Sequence, residues 1–158
     1  MALTKYKLGK LIDPCDERNA DGVYTIDDIK GISTGKEFID TKANMDGVSL
    51  SSYKVVNPQE FAYVADTSRR GEKIAIAFND SEKAILISSI YTVFRVSRAD
   101  LLNSDYLFMY FNRTEFDRYA RFNSWGSARE TFDWDTMCDI DIELPDLPTQ
   151  QKYVDIYN

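Results

Sequence analysis

Histidine is missing from this chain altogether. Its absence removes the serine-histidine-aspartate and cysteine-histidine arrangements, and with them the commonest general base of enzymes. Cysteine is scarce: Cys15 and Cys138 stand far apart, with no CxxC pair and no histidine beside them, so no zinc ligand set exists and both read as reduced structural thiols. Long apolar runs are missing too. No stretch approaches the roughly 18 residues that a membrane-crossing helix needs, and the opening Met1-Ala2-Leu3-Thr4-Lys5-Tyr6 lacks the apolar core of a secretion signal. A cytoplasmic location with no membrane contact is the expectation. No internal repeat or low-complexity segment interrupts the chain.

What is present suffices for a folded core. In 158 residues, 44% are apolar and 13% aromatic, far from the composition of chains that stay disordered, so one compact domain is expected. The net charge of -7 is unevenly spread. From residue 130 onward, eight acids (Glu130, Asp133, Asp135, Asp139, Asp141, Glu143, Asp146 and Asp155) face Lys152 alone, so the first 129 residues balance. A neutral body with an acidic end can still present a locally basic surface, because a phosphate responds to charges within about one Debye length.

Periodicity divides the chain into strands first and helices later. Tyr6 to Ile12 is a short apolar opening, followed by turn-formers from Asp13 to Gly22. Val23 to Ile32 predicts a strand that breaks at Gly31 and Gly35. Residues 33 to 52 form a long polar excursion, with a weak helical stretch from Lys36 to Asn44; such excursions are where binding residues tend to sit. Tyr53 to Val64 predicts two extended segments joined at Asn57-Pro58, a hairpin-like or sheet-forming pair. Ile74 to Phe78 is a buried strand, and Ala84 to Val96 is the strongest strand signal, with a bend near Ser88-Ser89. Ser104 is placed to cap a helix through Phe111, and Thr114 to open a second. Trp125 to Arg129 is a loop. Asp139-Ile140-Asp141-Ile142-Glu143-Leu144 alternates strictly, with acids on one face and aliphatics on the other, and Thr149 is placed to cap a closing helix. The fold class is α+β, with a mixed or antiparallel twisted sheet and short helices near the C-terminal half.

Three chemical constellations come out weak. Asp133-Trp134-Asp135 and the acids of the alternating strand lack a histidine, lysine or glycine-rich partner, and read as a solvated face rather than a magnesium site. Gly31-Ile32-Ser33-Thr34-Gly35-Lys36 breaks the spacing of a phosphate loop, and Glu37 stands where a hydroxyl residue would hold magnesium. The basic residues are more informative: Lys36, Lys42 and Lys54 around the polar excursion, Arg69, Arg70 and Lys73 in the next loop, then Arg113, Arg118, Arg121 and Arg129. Arginine spans two phosphate oxygens or the O6 and N7 of guanine, and hydroxyl and amide side chains read other base edges. On composition alone, a solvated surface is the better account of them.

The segment from Tyr106 to Tyr157 adds a further signal. Gly126-Ser127-Ala128-Arg129, the strand from Cys138 to Leu144, and the run Leu144-Pro145-Asp146-Leu147-Pro148-Thr149-Gln150 follow one another in the order and spacing that end a target-recognition domain. In this the chain resembles the specificity subunits of type I restriction-modification systems. Tyr6 to Ile12, Tyr53-Lys54-Val55-Val56 with Phe61-Ala62-Tyr63, and Ser88 to Phe94 are similar to the family's upstream blocks, while residues 20 to 50 match little. The resemblance implies a DNA target-recognition domain over residues 1–147 and the start of a spacer helix over 148–158. It implies a non-catalytic reader of one half of a bipartite double-stranded DNA site, needing no cofactor and no metal. Separate DNA methyltransferase (modification) and restriction endonuclease subunits would carry the catalysis. The DNA-binding residues expected are Lys36, Lys42, Lys54, Arg69, Arg70, Lys73, Ser127 and Arg129. One recognition domain ending where the spacer begins implies either a piece of a longer subunit or a half-size subunit that pairs with a second recognition domain or with its own copy. A protein-interaction module docking on methyltransferase subunits without reading DNA is the alternative.

Overall fold

The alternation at residues 139–144 does form a strand, and its partner is the first strand of the chain. In the computed structural model, which describes residues 3–33, 35–40, 50–64, 75–113, 115–116 and 133–157, β1 (Thr4–Lys7) pairs antiparallel with β10 (Asp141–Leu144). Ile142 and Leu144 are buried while Asp141 and Glu143 face outward. The register sets Lys5 opposite Glu143 and Lys7 opposite Asp141, so two acids of the outward face meet two lysines. Lys7 reaches Asp139 at 3.2 Å and Asp141 at 3.0 Å.

Contacts divide the chain into two compact units. The terminal unit takes its described residues from 3–13, 95–113, 115–116 and 133–157, and the middle unit from 14–33, 35–40, 50–64 and 75–94. In the terminal unit, a 3₁₀ turn (Leu8–Lys10), α1 (Ser104–Phe111), α2 (Trp134–Cys138) and α3 (Leu147–Tyr157) accompany the β1–β10 ribbon. Leu8, Leu11, Leu107, Phe111, Phe116, Met137 and Ile140 are sealed from solvent. The middle unit carries β3 (Lys30–Ile32), β4 (Phe38–Asp40), β5 (Lys54–Val56), β6 (Glu60–Tyr63), β7 (Ile76–Phe78) and β8 (Ile85–Ile87). β2 (Ile12–Cys15) and β9 (Thr92–Val96) carry the chain from one unit into the other. The sheet order is β2-β9-β6-β7, with β3-β4 and β5-β8 as separate antiparallel pairs. The α+β class follows directly.

In the middle unit, Phe61, Ala62 and Tyr63 are all buried because both faces of β6 are covered. Phe61 stacks on Phe94 with ring centres 5.0 Å apart and planes at 7°. Asn57-Pro58-Gln59-Glu60 forms the expected turn: Glu60 N–H donates to the Asn57 carbonyl, and Gln59 at φ 70° occupies the third position, where a type II turn needs positive φ. The segments it joins are sheet-forming as expected but do not form a hairpin with each other; β5 pairs with β8 and β6 with β7. The bend near Ser88-Ser89 separates β8 from β9 as expected.

Local capping chemistry explains where other elements depart from the periodicity. Val23 to Thr25 is not a strand. Thr25 and Asp28 form a capping box, the Asp28 carboxylate accepting from Thr25 N–H at 2.8 Å, so Ile26–Asp28 winds as a 3₁₀ turn and β3 begins only at Lys30. Pro14, expected in a turn, lies in β2, an edge strand where its missing N–H breaks no ladder. The weak helix from Lys36 becomes β4 as far as Asp40, because Lys36 at φ 63° reverses the chain and Phe38 pairs with Ile32; residues 41–49 lie outside the described residues. α1 is capped one residue before Ser104, by Asn103, whose side chain accepts from Asp105 N–H and Tyr106 N–H. The second helix expected from Thr114 falls mostly outside the described residues. α2 was not expected at all; Asp133 caps it by accepting from Thr136 N–H. Thr149 lies inside α3, and Asp146 caps that helix by accepting from Thr149 N–H at 2.9 Å.

Gln150 is a fully buried polar side chain at this junction. Its amide nitrogen donates to the carbonyls of Leu101 (2.8 Å) and Pro145 (2.9 Å), and its oxygen accepts from Asn103 N–H at 2.8 Å. It therefore ties the β10–α3 corner to the capping residue of α1. Gln150→Leu fills the same space with no polar atom and strands three backbone groups, each costing about 1–3 kcal/mol when buried. A total loss of at least about 3 kcal/mol is expected in urea unfolding, whereas Gln151→Ala, whose bond to Asn103 is exposed, is expected to cost about 0.5 kcal/mol or less. A second close fit is testable in the same way. A Cβ on Gly9 would lie 2.6 Å from the Cβ of Cys138 and 3.1 Å from its Cα and carbonyl oxygen. Gly9→Ala is expected to lower stability by about 1–3 kcal/mol with an unchanged denaturant slope.

Candidate nucleic-acid interface

Two of the eight residues expected at a DNA surface lie among the described residues, both in the middle unit. Lys36 sits in the turn between β3 and β4 with 4% of its surface exposed, its N–H donating to the Ser33 carbonyl. Lys54 begins β5, and its ammonium turns inward, donating to the Tyr91 carbonyl at 2.7 Å with Asp16 3.8 Å away. Burial pushes the Lys54 pKa below its ordinary value against the pull of Asp16. Lys42, Arg69, Arg70, Lys73, Ser127 and Arg129 lie outside the described residues. The motif Gly31 to Lys36 ends in a β-hairpin rather than at a helix N-terminus, so it has no ring of free N–H groups to cradle a phosphate.

Several described cations are held by carboxylates close to them. The backbone of Arg18 pairs antiparallel with that of Lys54, and the Arg18 side chain donates to Asp16 (2.8 Å) and to the Ser52 carbonyl (2.9 Å). Lys30 pairs with Asp40 across β3–β4. Arg98 grips Asp100 with two bonds of 2.9 Å each. Sequence reasoning passed over Arg18 and Arg98, although each stands two residues from the aspartate it holds. Lys10, Lys83, Arg95 and Arg113 form no ion pair among the described residues. Arg113 lines an open cleft of about 380 Å³ in the terminal unit with Tyr106, Tyr110, Glu143 and Tyr153.

The carboxylates also have structural work. Asp133 and Asp146 cap helices, and Asp139 and Asp141 hold Lys7. Among the described residues no cluster of three metal-ligating side chains forms, and no helix is long and apolar enough to cross a membrane. The described surface of the middle unit offers a ligand hydroxyls, amides and aliphatics together with exposed carboxylates such as Asp21, Asp27, Glu37, Asp80 and Glu82.

These features sit on an α+β fold, and that fold is shared with solved chains of type I restriction-modification systems. A chain solved in a study of complex assembly and conformational transition of the type I R-M system superposes with a TM-score of 0.61 at 12% identity, over 98% of this chain and 37% of that one. The HsdS subunit from Thermoanaerobacter tengcongensis superposes with a TM-score of 0.62 at 17% identity, over 98% of this chain and 40% of that subunit. The fold is thus that of one part of an HsdS subunit, and the chain spans two-fifths or less of the length of these neighbours. No family model matches the chain, and no curated protein does.

The ion pairs and caps predict a pH dependence. Asp40, Asp100, Asp141 and Asp146 are each held below the ordinary carboxylate value of 3.8, chiefly by hydrogen bonds from Lys30, Arg98, Lys7 and Thr149 respectively. A depressed folded-state pKa means that the stabilisation is fully present above about pH 4 and is lost as pH falls through the folded values. Replacing all four by Asn is expected to shrink the drop in unfolding free energy between about pH 5 and pH 3, measured by urea titration at each pH. An undiminished drop would mean that other carboxylates drive acid unfolding.

Proposed function

We propose that this chain is a target-recognition domain of a type I restriction-modification specificity subunit, which binds double-stranded DNA sequence-specifically and reads one half of a bipartite target. The observation that carries this reading is the superposition of 98% of the chain on two-fifths or less of its type I neighbours. The run from Leu144 to Gln150 supports it from the sequence side: its glutamine is the buried keystone of the β10–α3 corner, so the residues carrying the resemblance are also those building the fold there. Residues 1–147 form the recognition domain in this reading and 148–158 begin the spacer helix. The chain performs no chemistry and takes no cofactor; DNA methyltransferase and restriction endonuclease subunits, in the cytoplasm, act on the site it selects. Arg69, Arg70 and Arg129, with Lys42, Lys73 and Ser127, supply the phosphate and base contacts.

Binding of the chain to a randomised duplex pool, with and without a modification subunit and at two salt concentrations, tests this. An enriched sequence is expected, with affinity falling steeply with salt as phosphate contacts release counterions. Changing Arg69, Arg70 and Arg129 together to Ala is expected to weaken binding at least tenfold and to reduce the log-log salt slope by about 0.9 for each phosphate contact removed. Assembly with the modification subunit should be unchanged. No enriched sequence under any condition overturns the reading, and unchanged methylation by a complex carrying the triple variant favours docking without DNA reading.

A further inference from the structure

The described cations of the middle unit are largely drawn into the fold: Arg18 is held by Asp16 and Ser52, Lys30 by Asp40, Lys36 is buried and Lys54 points inward, leaving Lys83 exposed at the surface. Phosphate contacts position a protein on DNA, while base-edge contacts carry the sequence information. The turn joining β8 to β9 offers groups of the second kind. Ser88-Ser89-Ile90-Tyr91 closes with Tyr91 N–H donating to the Ser88 carbonyl at 3.1 Å. Tyr91 is anchored in the core cluster beside Val93 and Ile87, yet its neighbour Ile90 is 69% exposed.

The turn is held from beneath. The Lys54 ammonium, with 13% of its side chain exposed, donates to the Tyr91 carbonyl. An ammonium withdrawn from water in this way is expensive to leave unpaired, so the bond holds the Tyr91 carbonyl at the end of the turn that exposes Ile90. The result is a turn anchored at Tyr91, with an exposed aliphatic side chain next in the chain to the hydroxyl residues Ser88 and Ser89. Of the groups that base pairs present in the major groove, the thymine C5-methyl is the apolar one, and aliphatic side chains read it by contact.

Resting on the DNA-recognition reading, we infer that Ile90 reads a thymine methyl group in the target and that Lys54 is the positioning residue that aims it. Burying one methyl group corresponds to about fourfold in affinity. The test uses the whole chain with its modification subunit and the target enriched from the randomised pool, replacing each thymine in turn by uracil, which lacks only that methyl. Wild-type protein is expected to lose about fourfold in affinity at one thymine. Ile90→Ala should bind the thymine and uracil duplexes equally, with an unchanged salt slope. Lys54→Met, confirmed as folded by circular dichroism, should weaken the thymine preference while leaving non-specific affinity and salt slope unaltered, which a general loss of stability would not do. The inference is overturned if wild-type protein tolerates uracil at every position, if the target contains no thymine, or if Ile90→Ala keeps the wild-type sensitivity. If wild-type protein enriches no sequence at all, the recognition reading fails first and this inference falls with it.

Discussion

A single buried amide organises the terminal unit. Gln150 cannot be withdrawn from water without partners for both ends of its side chain, and it finds them in the backbone of Leu101, Asn103 and Pro145. Because Asn103 is also the residue that caps α1, the bonds of Gln150 fix where that helix starts as well as how α3 leaves β10. An apolar residue at 150 could fill the space, but it could not specify which loop lies against it. This is the sense in which a polar group in the interior confers definition rather than stability alone.

Charge is handled by the same logic of pairing at the surface. Lys7 with Asp139 and Asp141, Arg98 with Asp100, Lys30 with Asp40 and Arg18 with Asp16 are all exposed on at least one side, so each pair is worth little by itself. Their collective effect is to commit cations that composition marks as available, while of the acids from residue 130 onward only Asp139 and Asp141 take part. The net charge of -7 is therefore a poor guide to what a phosphate would meet at any given point. In the reading proposed for this chain, affinity falls to arginines and lysines beyond the described residues, and the described middle unit contributes selectivity.

Much of the fold was readable in one dimension. The alternation of β10, the Asn57-Pro58 turn and the bend between β8 and β9 stand where the residues put them, since each depends on backbone preference and on an apolar pattern a few residues long. The misses share a cause. Val23 to Thr25 has strand-like composition, but the Thr25–Asp28 capping box decides the local conformation. α2 hides in a stretch rich in carboxylates because Asp133 serves as a cap, and a cap looks no different from a solvated acid until its N–H partners are seen. Asn103 and Asp146, rather than Ser104 and Thr149, start their helices; polar residues close together compete for that role, and tertiary contacts choose among them.

The sequence by itself determined the exclusion of histidine-based catalysis, the α+β class, the run of strands before helices, and the order of motifs from Gly126 to Gln150. These follow from residue identity and short-range periodicity, which no distant contact can alter. Tertiary structure alone decided which charges are available. Lys54 looks like a DNA contact in the chain and becomes the inward anchor of a distant turn, because a carbonyl thirty-seven residues away lies within hydrogen-bond reach of its ammonium. The availability of a long charged side chain is set by what the fold places within a few ångströms of its tip, and strand pairing between remote segments controls that distance.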